Sequence, residues 1–228
     1  MIQHLLQLIW NQRKQNAWLW AELLLVSVFL WFLVDYLYVM GRTYTAPLGF
    51  DIRHTYSIVI SSLSERSPDY IPKEKRERPD GVHLLTALDR IRTYPGVESA
   101  CLTDGGMPYY MGSRNLVWRI DTLQVPCRYA FVTPEFFDVF RIYDKDGKTA
   151  SLKRAIEDNN SIVISADVET MNPGLSLLGQ KAYRGNVTDE IEETIRGISV
   201  PIRRHEYTKA EPNVYRALRL SRMEEGYY

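Results

Sequence analysis

Gly147-Lys148-Thr149 carries the ending of a phosphate-cradling loop, and Asp144-x-Asp146-Gly147 carries the middle of a calcium loop. Both fail on spacing. A P-loop needs a glycine five residues before Gly147, where this chain has Ile142. A calcium loop needs an oxygen ligand at that same position and a bidentate Glu where Lys153 stands. A turn is the reading left to both. His4, His54, His83 and His205 follow no paired ligand spacing, so no metal site is expected. There is no G-x-S-x-G elbow, and the acids form no recognisable acid/base pattern. The residues therefore predict no catalytic, cofactor-binding or metal-binding site, and no enzyme. Cys101 and Cys127 both fall in expected strands; outside the cytoplasm they could form a disulfide, and each could equally be a buried free thiol.

The remaining residues with chemical potential are two acids in an apolar run, Glu22 and Asp35. Ala17 to Met40 holds 24 residues, which as a helix reach about 36 Å against a hydrocarbon core of about 30 Å. Only Leu23 to Val34 is free of charge, a length that also suits a buried core helix. Trp18 and Trp20 at one end, and Trp31, Tyr36 and Tyr38 at the other, match two interfacial aromatic belts, and the expectation is a membrane span. The acids lie about 20 Å apart along the axis and about 220° around it, so each would reach a different interface. Either could also serve coupling, since intramembrane charge often marks function. No small-x-small cleavage site follows the run, which argues for a retained anchor over a signal peptide. Arg13 and Lys14 precede it, no acid occurs in the first 21 residues, and Arg42 and Arg53 follow. This balance leans toward a cytoplasmic N-terminus. Ile2, Leu5, Leu6 and Ile9 repeat at helical spacing, as in an amphipathic helix lying on the membrane surface; continuation of the span is the other reading. The expected organisation is residues 1–16 as a surface helix, 17–40 as the span, and 41–228 as an extracytoplasmic domain.

Lys plus Arg and Asp plus Glu both number 28, a balance that argues against nucleic acid as the main partner. In the exterior part Tyr56 to Leu63 reads as a strand, and residues 64–81, dense in charge and Pro, as a solvated loop. Val82 to Tyr94 predicts an amphipathic helix stopped by Pro95-Gly96, and Val97 to Thr103 a strand. Leu116 to Ile120 and Val125 to Val132 predict a strand pair turning near Asp121-Thr122. A helix is expected at Pro134 to Phe140 and another near Leu152 to Ile156. Further strands are expected at Ser161 to Ser165, Lys181 to Gly185, Glu193 to Arg203 and Val214 to Leu220. Strands interspersed with single helices give an α+β class, with two small lobes.

The stretch RYAFVTPEFFDVF, residues 128–140, joins a strand to a helix. Thr133 suits an N-cap, Pro134 the first helical position, and Glu135 the positive end of the helix dipole. Phe136, Phe137 and Phe140 can turn one aromatic face toward the preceding strand, with Asp138 outward. The expectation is a structural corner, with a binding surface as the alternative.

Together these segments resemble the extracytoplasmic core domain of macrolide-exporter-type (MacB/FtsX-like) ABC transporter permeases. The resemblance runs through Ile2 to Met40, Ala46-Pro47-Leu48-Gly49-Phe50 and Pro95-Gly96-Val97-Glu98. It continues through Tyr129 to Phe140, Ile162-Val163-Ile164-Ser165 and Thr194 to Ile202. Thr133-Pro134-Glu135-Phe136-Phe137 is its most distinctive part. It implies a permease of four transmembrane helices with a two-lobed α+β exterior domain between the first and second, in a bacterial inner membrane. It also implies a second permease subunit (homodimer or heterodimer), a cytoplasmic ABC ATPase and an exterior protein partner. Such proteins relay ATP-driven motion across the bilayer. No second apolar run of about 20 residues follows Met40, so the resemblance implies either a piece of a longer permease or a stand-alone anchor with its exterior domain. The alternative class is a single-span anchored sensor or binding module unrelated to ABC transport.

Overall fold

A computed structural model describes the chain apart from residues 1, 12–13, 15–16, 61–62, 73–74, 111, 113, 185–189 and 220–228. Contacts divide it into Met1–Ala46 and Pro47–Tyr228.

The first unit holds α1 (Ile2–Asn11) and α2 (Ala17–Thr45), with Lys14 in a turn between them. The side chains of Ile2, Leu5, Leu6 and Ile9, on which the surface-helix expectation turns, lie outside the described residues. α2 is 29 residues long, has a mean hydropathy of 2.2 over its most apolar window, and buries none of that window. It is long and apolar enough to cross a membrane. Glu22 and Asp35 are both exposed on it.

The second unit is α+β. Its helices are α3 (Asp80–Arg92), α4 (Phe136–Val139), α5 (Ala150–Glu157) and α6 (Asp167–Met171). Its strands are β1 (Thr103–Asp104), β2 (Arg114–Ile120), β3 (Leu123–Val132), β4 (Ser161–Ser165), β5 (Lys181–Arg184), β6 (Ile191–Ser199) and β7 (Asn213–Ala217). They are hydrogen-bonded in the order β1-β3-β2-β5-β6-β4-β7, and β7 also pairs with β3. That last pairing, parallel, with Arg128 opposite Asn213 and Val132 opposite Ala217, closes six of the strands into a ring. Closure satisfies ladder groups that an open sheet would leave bare at its edges.

Alternation along the strands sends side chains to two separate cores. Trp118, Ile120, Val125, Cys127, Ile162, Ile164, Ala182, Ile195 and Val214 form one cluster, fed by all six ring strands, and so fill the barrel. Ala130, Val132, Val163 and Tyr215 face the other way and meet Phe136, Phe137 and Phe140 near α4, with Leu152, Ala155 and Ile156 of α5. What the sequence suggests as two small lobes is one compact unit with two apolar clusters on opposite faces of one sheet.

Two expected strands are not formed. Tyr56 to Ile60 and Leu63 join no ladder, and Tyr56 and Val59 are 85% and 86% exposed. Their β-branched composition fits a pleated sheet, but propensity acts only where a strand edge is available to pair. Of Val97 to Thr103, only Thr103 enters a strand, with Asp104, against the end of β3. Three other elements are shorter than expected. The helix at Pro134 to Phe140 shrinks to α4, the strand expected to run to Arg203 ends at Ser199, and β7 ends at Ala217. Gly185 and Leu220, expected strand ends, lie outside the described residues.

The segment after α2 is locked onto this domain at Gly49. Its φ is +83°, and a Cβ there would sit 2.1 Å from the carbonyl oxygen of Pro201. Beside it the Arg203 N–H donates to the Leu48 carbonyl at 3.0 Å, and the Asp51 N–H to the Phe140 carbonyl at 2.9 Å. Gly49→Ala is expected to cost about 1–3 kcal/mol from backbone strain, with the carbonyl clash added. Protease susceptibility of the Pro47–Asp51 segment should rise; an unchanged digestion pattern would contradict this packing.

Candidate functional site

The motif fragments resolve into a turn. The Asp144 carboxylate accepts from the backbone N–H groups of Asp146 and Lys148 at 2.9 and 2.8 Å, and Gly147 takes φ +75°. The carboxylate is held below its usual pKa by these bonds and the Ser151 hydroxyl, which together outweigh the opposing effect of burial. Its oxygens are thus engaged by the chain itself. Among the described residues no group of three or more His, Cys, Asp or Glu is gathered to hold a metal. His205 lies half-buried near Tyr207, and His54 is exposed at φ +63°.

Cys101 and Cys127 are free. Cys127 points into the barrel, whereas Cys101 packs against the outer cluster, so the sheet separates them and the disulfide is not formed. Burial pushes both thiols up to about 12, Glu135 adding to the effect at Cys101. Because the thiolate is the reactive form, both should react with a thiol reagent at pH 8 at least roughly a hundredfold more slowly in the folded protein than in denaturant. A free-thiol count that rose on reduction, or equally fast labelling of the folded chain, would contradict this arrangement.

The Thr133–Phe140 corner is built differently from the expectation. Thr133 does not cap the helix through its side chain. It is 1% exposed, and its hydroxyl accepts from the Leu102 N–H at 3.2 Å while its own N–H donates to the Leu102 carbonyl at 3.0 Å. Burial made that backbone pairing the use for the hydroxyl; helix entry instead rests on the Thr133 carbonyl, which accepts from the Phe136 N–H at 3.0 Å. Glu135 ion-pairs with Arg92 of α3 at 2.8 Å. Asp138 is half-buried and accepts from the Thr149 hydroxyl at 2.6 Å and Lys153 Nζ at 2.5 Å, tying α4 to α5. Phe136 packs on Phe140, Tyr215 and Phe137 with centroids at 4.7, 5.4 and 5.8 Å. The aromatic face thus meets β3, as the spacing suggests, and also β7.

The mouth of the barrel holds an ion cluster that sequence reasoning missed. Glu193 on β6 is almost fully buried. Its Oε1 accepts from Arg216 Nε of β7 at 2.7 Å and lies 3.4 Å from Arg184 Nε of β5. The Arg216 guanidinium also sits 5.0 Å from the centroid of the Phe131 ring. Among the described residues the partners of Glu193 come from β5 and β7, so that with β6 it ties three strands together. One exposed stretch is apolar: Tyr56, Ile58, Val59 and Ile60 are all exposed in one short segment. Contiguous exposed apolar side chains of this kind mark contact surfaces more often than catalytic ones.

No family model and no curated protein matches the sequence. Among solved structures, a domain of a protein described as a permease, from Porphyromonas gingivalis, aligns with 20% identity and a TM-score of 0.41, over 56% of this chain and 49% of that one. The periplasmic region of MacB from Actinobacillus actinomycetemcomitans aligns with 10% identity and a TM-score of 0.39, over 58% and 54%. The extracellular domain of the noncanonic ABC-type transporter YknZ from Gram-positive bacteria aligns with 13% identity and a TM-score of 0.42, over 62% and 65%. The chain thus spans between about half and two-thirds of each of these structures.

Proposed function

We propose that this chain is the anchored exterior part of an ABC-type permease of the macrolide-exporter kind. The observation that carries this reading is α2, an apolar helix with none of its most apolar window buried, in a chain whose other unit has a closed core of its own. Such a helix is stable when lipid or other helices cover it. The Thr133–Phe137 corner supplies the sequence resemblance to the permease family, and solved permease domains share partial likeness of fold.

In this role α2 crosses a bacterial inner membrane and Pro47–Tyr228 stands outside the cytoplasm. The exterior domain receives a protein partner or substrate, and motion driven by a cytoplasmic ABC ATPase reaches it through the membrane helices of a permease dimer. The exposed apolar segment Tyr56–Ile60 is the surface such a partner would cover. The chain itself performs no catalysis in this scheme; ATP hydrolysis belongs to the ATPase subunit.

The test is cross-linking of the full chain in native membranes, followed by identification of the captured proteins. Co-capture of an ABC ATPase and a permease subunit is expected. Reproducible capture of a membrane protein of another class, with no ATPase, would overturn the reading and favour an anchored sensor.

A further inference from the structure

A small cavity lies outside the barrel wall, lined by Gly106, Arg114, Arg128, Asn213 and Tyr215 among others, with a volume of about 10 Å³. Gly106 takes φ +71°, and a Cβ there would come within 2.6 Å of Ala130, so only glycine lets the turn lie this close to β3. The notable wall is Arg128. It is half-buried, its Nε is shielded from solvent with no hydrogen-bond partner, and no carboxylate among the described residues pairs with it. Arg204 shares the condition: its Nε is buried and unpartnered too.

Other enclosed guanidiniums among the described residues have partners: Arg216 and Arg184 share Glu193, and Arg203 donates to the carbonyls of Glu206 and Thr208. Arg114, exposed at the rim of the cavity, holds Asp104 at 2.6 Å. Burial depresses the pKa of Arg128, and the charge of Arg204 depresses it further; Glu211 opposes both without reversing them. A guanidinium lining a cavity, partly out of water and with its buried Nε–H unpartnered, favours a negatively charged group there.

We propose that this cavity is an oxyanion site that takes a carboxylate, the acidic side chain of a peptide or protein, with Arg128 as its principal ligand. A cavity of this size admits one water-sized group, so a single carboxylate oxygen enters it and the rest of the ligand stays outside. The guanidinium offers that one oxygen a charge-assisted N–H donor. The site belongs to the exterior domain alone and stands independently of the transport reading.

The test uses the full chain in detergent micelles, with arginine Nε–H signals followed by NMR during titration with sodium acetate, inorganic phosphate and sodium chloride at matched ionic strength. Acetate should move the Arg128 Nε–H signal saturably with a millimolar midpoint, chloride should not, and Arg119→Gln should leave the response intact. In chloride, Arg128→Gln should melt at or above the wild-type temperature, since it loses no partner; acetate should raise the melting temperature of the wild type only. Equal responses to acetate and chloride would overturn the site. Saturation by phosphate alone would overturn its assignment to carboxylates. A drop of several degrees for Arg128→Gln in chloride would show that Arg128 is already compensated within the fold, and would also overturn it.

Discussion

Glu193→Gln should destabilise the Pro47–Tyr228 unit by about 3–5 kcal/mol, the usual cost of leaving buried charge without its partner. The shape of the side chain is preserved, which isolates the electrostatic effect. Arg216 and Arg184 both converge on Oε1, while Oε2 is buried without a hydrogen-bond partner. The amide group of Gln can therefore occupy the Oε2 position without breaking a bond. What disappears is the negative charge, and two guanidiniums then face each other at the barrel mouth. Hydrogen exchange of β6 and β7 amides in urea reports the loss directly. The double variant Glu193→Leu with Arg216→Met should cost less than Glu193→Gln, because it removes the charge together with its main partner. A single variant as stable as wild type would mean that the cluster is solvated and the barrel mouth open.

Phe136→Ala should cost about 3–5 kcal/mol, as expected for emptying a fully buried aromatic site. Phe136 is 0% exposed and lies between Phe140, Phe137 and Tyr215, so the neighbouring rings cannot collapse without moving α4 off β3 and β7. Phe136→Leu keeps much of the volume and should cost roughly 1–2 kcal/mol. The comparison is best made by thermal unfolding of the two variants side by side. Equal losses would point to a specific ring interaction, and negligible losses would contradict the packing of the corner.

The corner and the barrel mouth differ in how far they can be read from sequence. Phe136, Phe137 and Phe140 are local: their helical spacing and the preceding Thr-Pro-Glu announce an aromatic face at a strand-to-helix junction. The use of Thr133 was not legible, because its partner Leu102 is 31 residues earlier and only the folded sheet brings the two together. Closure of the ring rests on β3 meeting β7, which no local pattern encodes. Glu193 reads as an ordinary polar residue on a strand; that it points inward follows from Arg216, 23 residues later, sharing the same interior. Tyr56 to Leu63 shows the converse, since β-branched residues gave a strand pattern with no edge to join. α6 is not legible in the sequence, because five residues, Asp167–Met171, are too few to display a helical period. The Arg128 cavity was invisible for the same reason as the ring: its wall is assembled by the pairing of β3 with β7.

The central claim is that α2 crosses a membrane and leaves Pro47–Tyr228 outside the cytoplasm. Labelling intact cells with a membrane-impermeant maleimide tests it most directly, using Asp146→Cys on the exposed turn after α4 and Asn11→Cys ahead of α2. The native thiols, pushed up to about 12, should contribute little background. Asp146→Cys should label in intact cells, and Asn11→Cys only after permeabilisation. Labelling of Asn11→Cys alone, or of both positions only after permeabilisation, would contradict the anchored exterior domain.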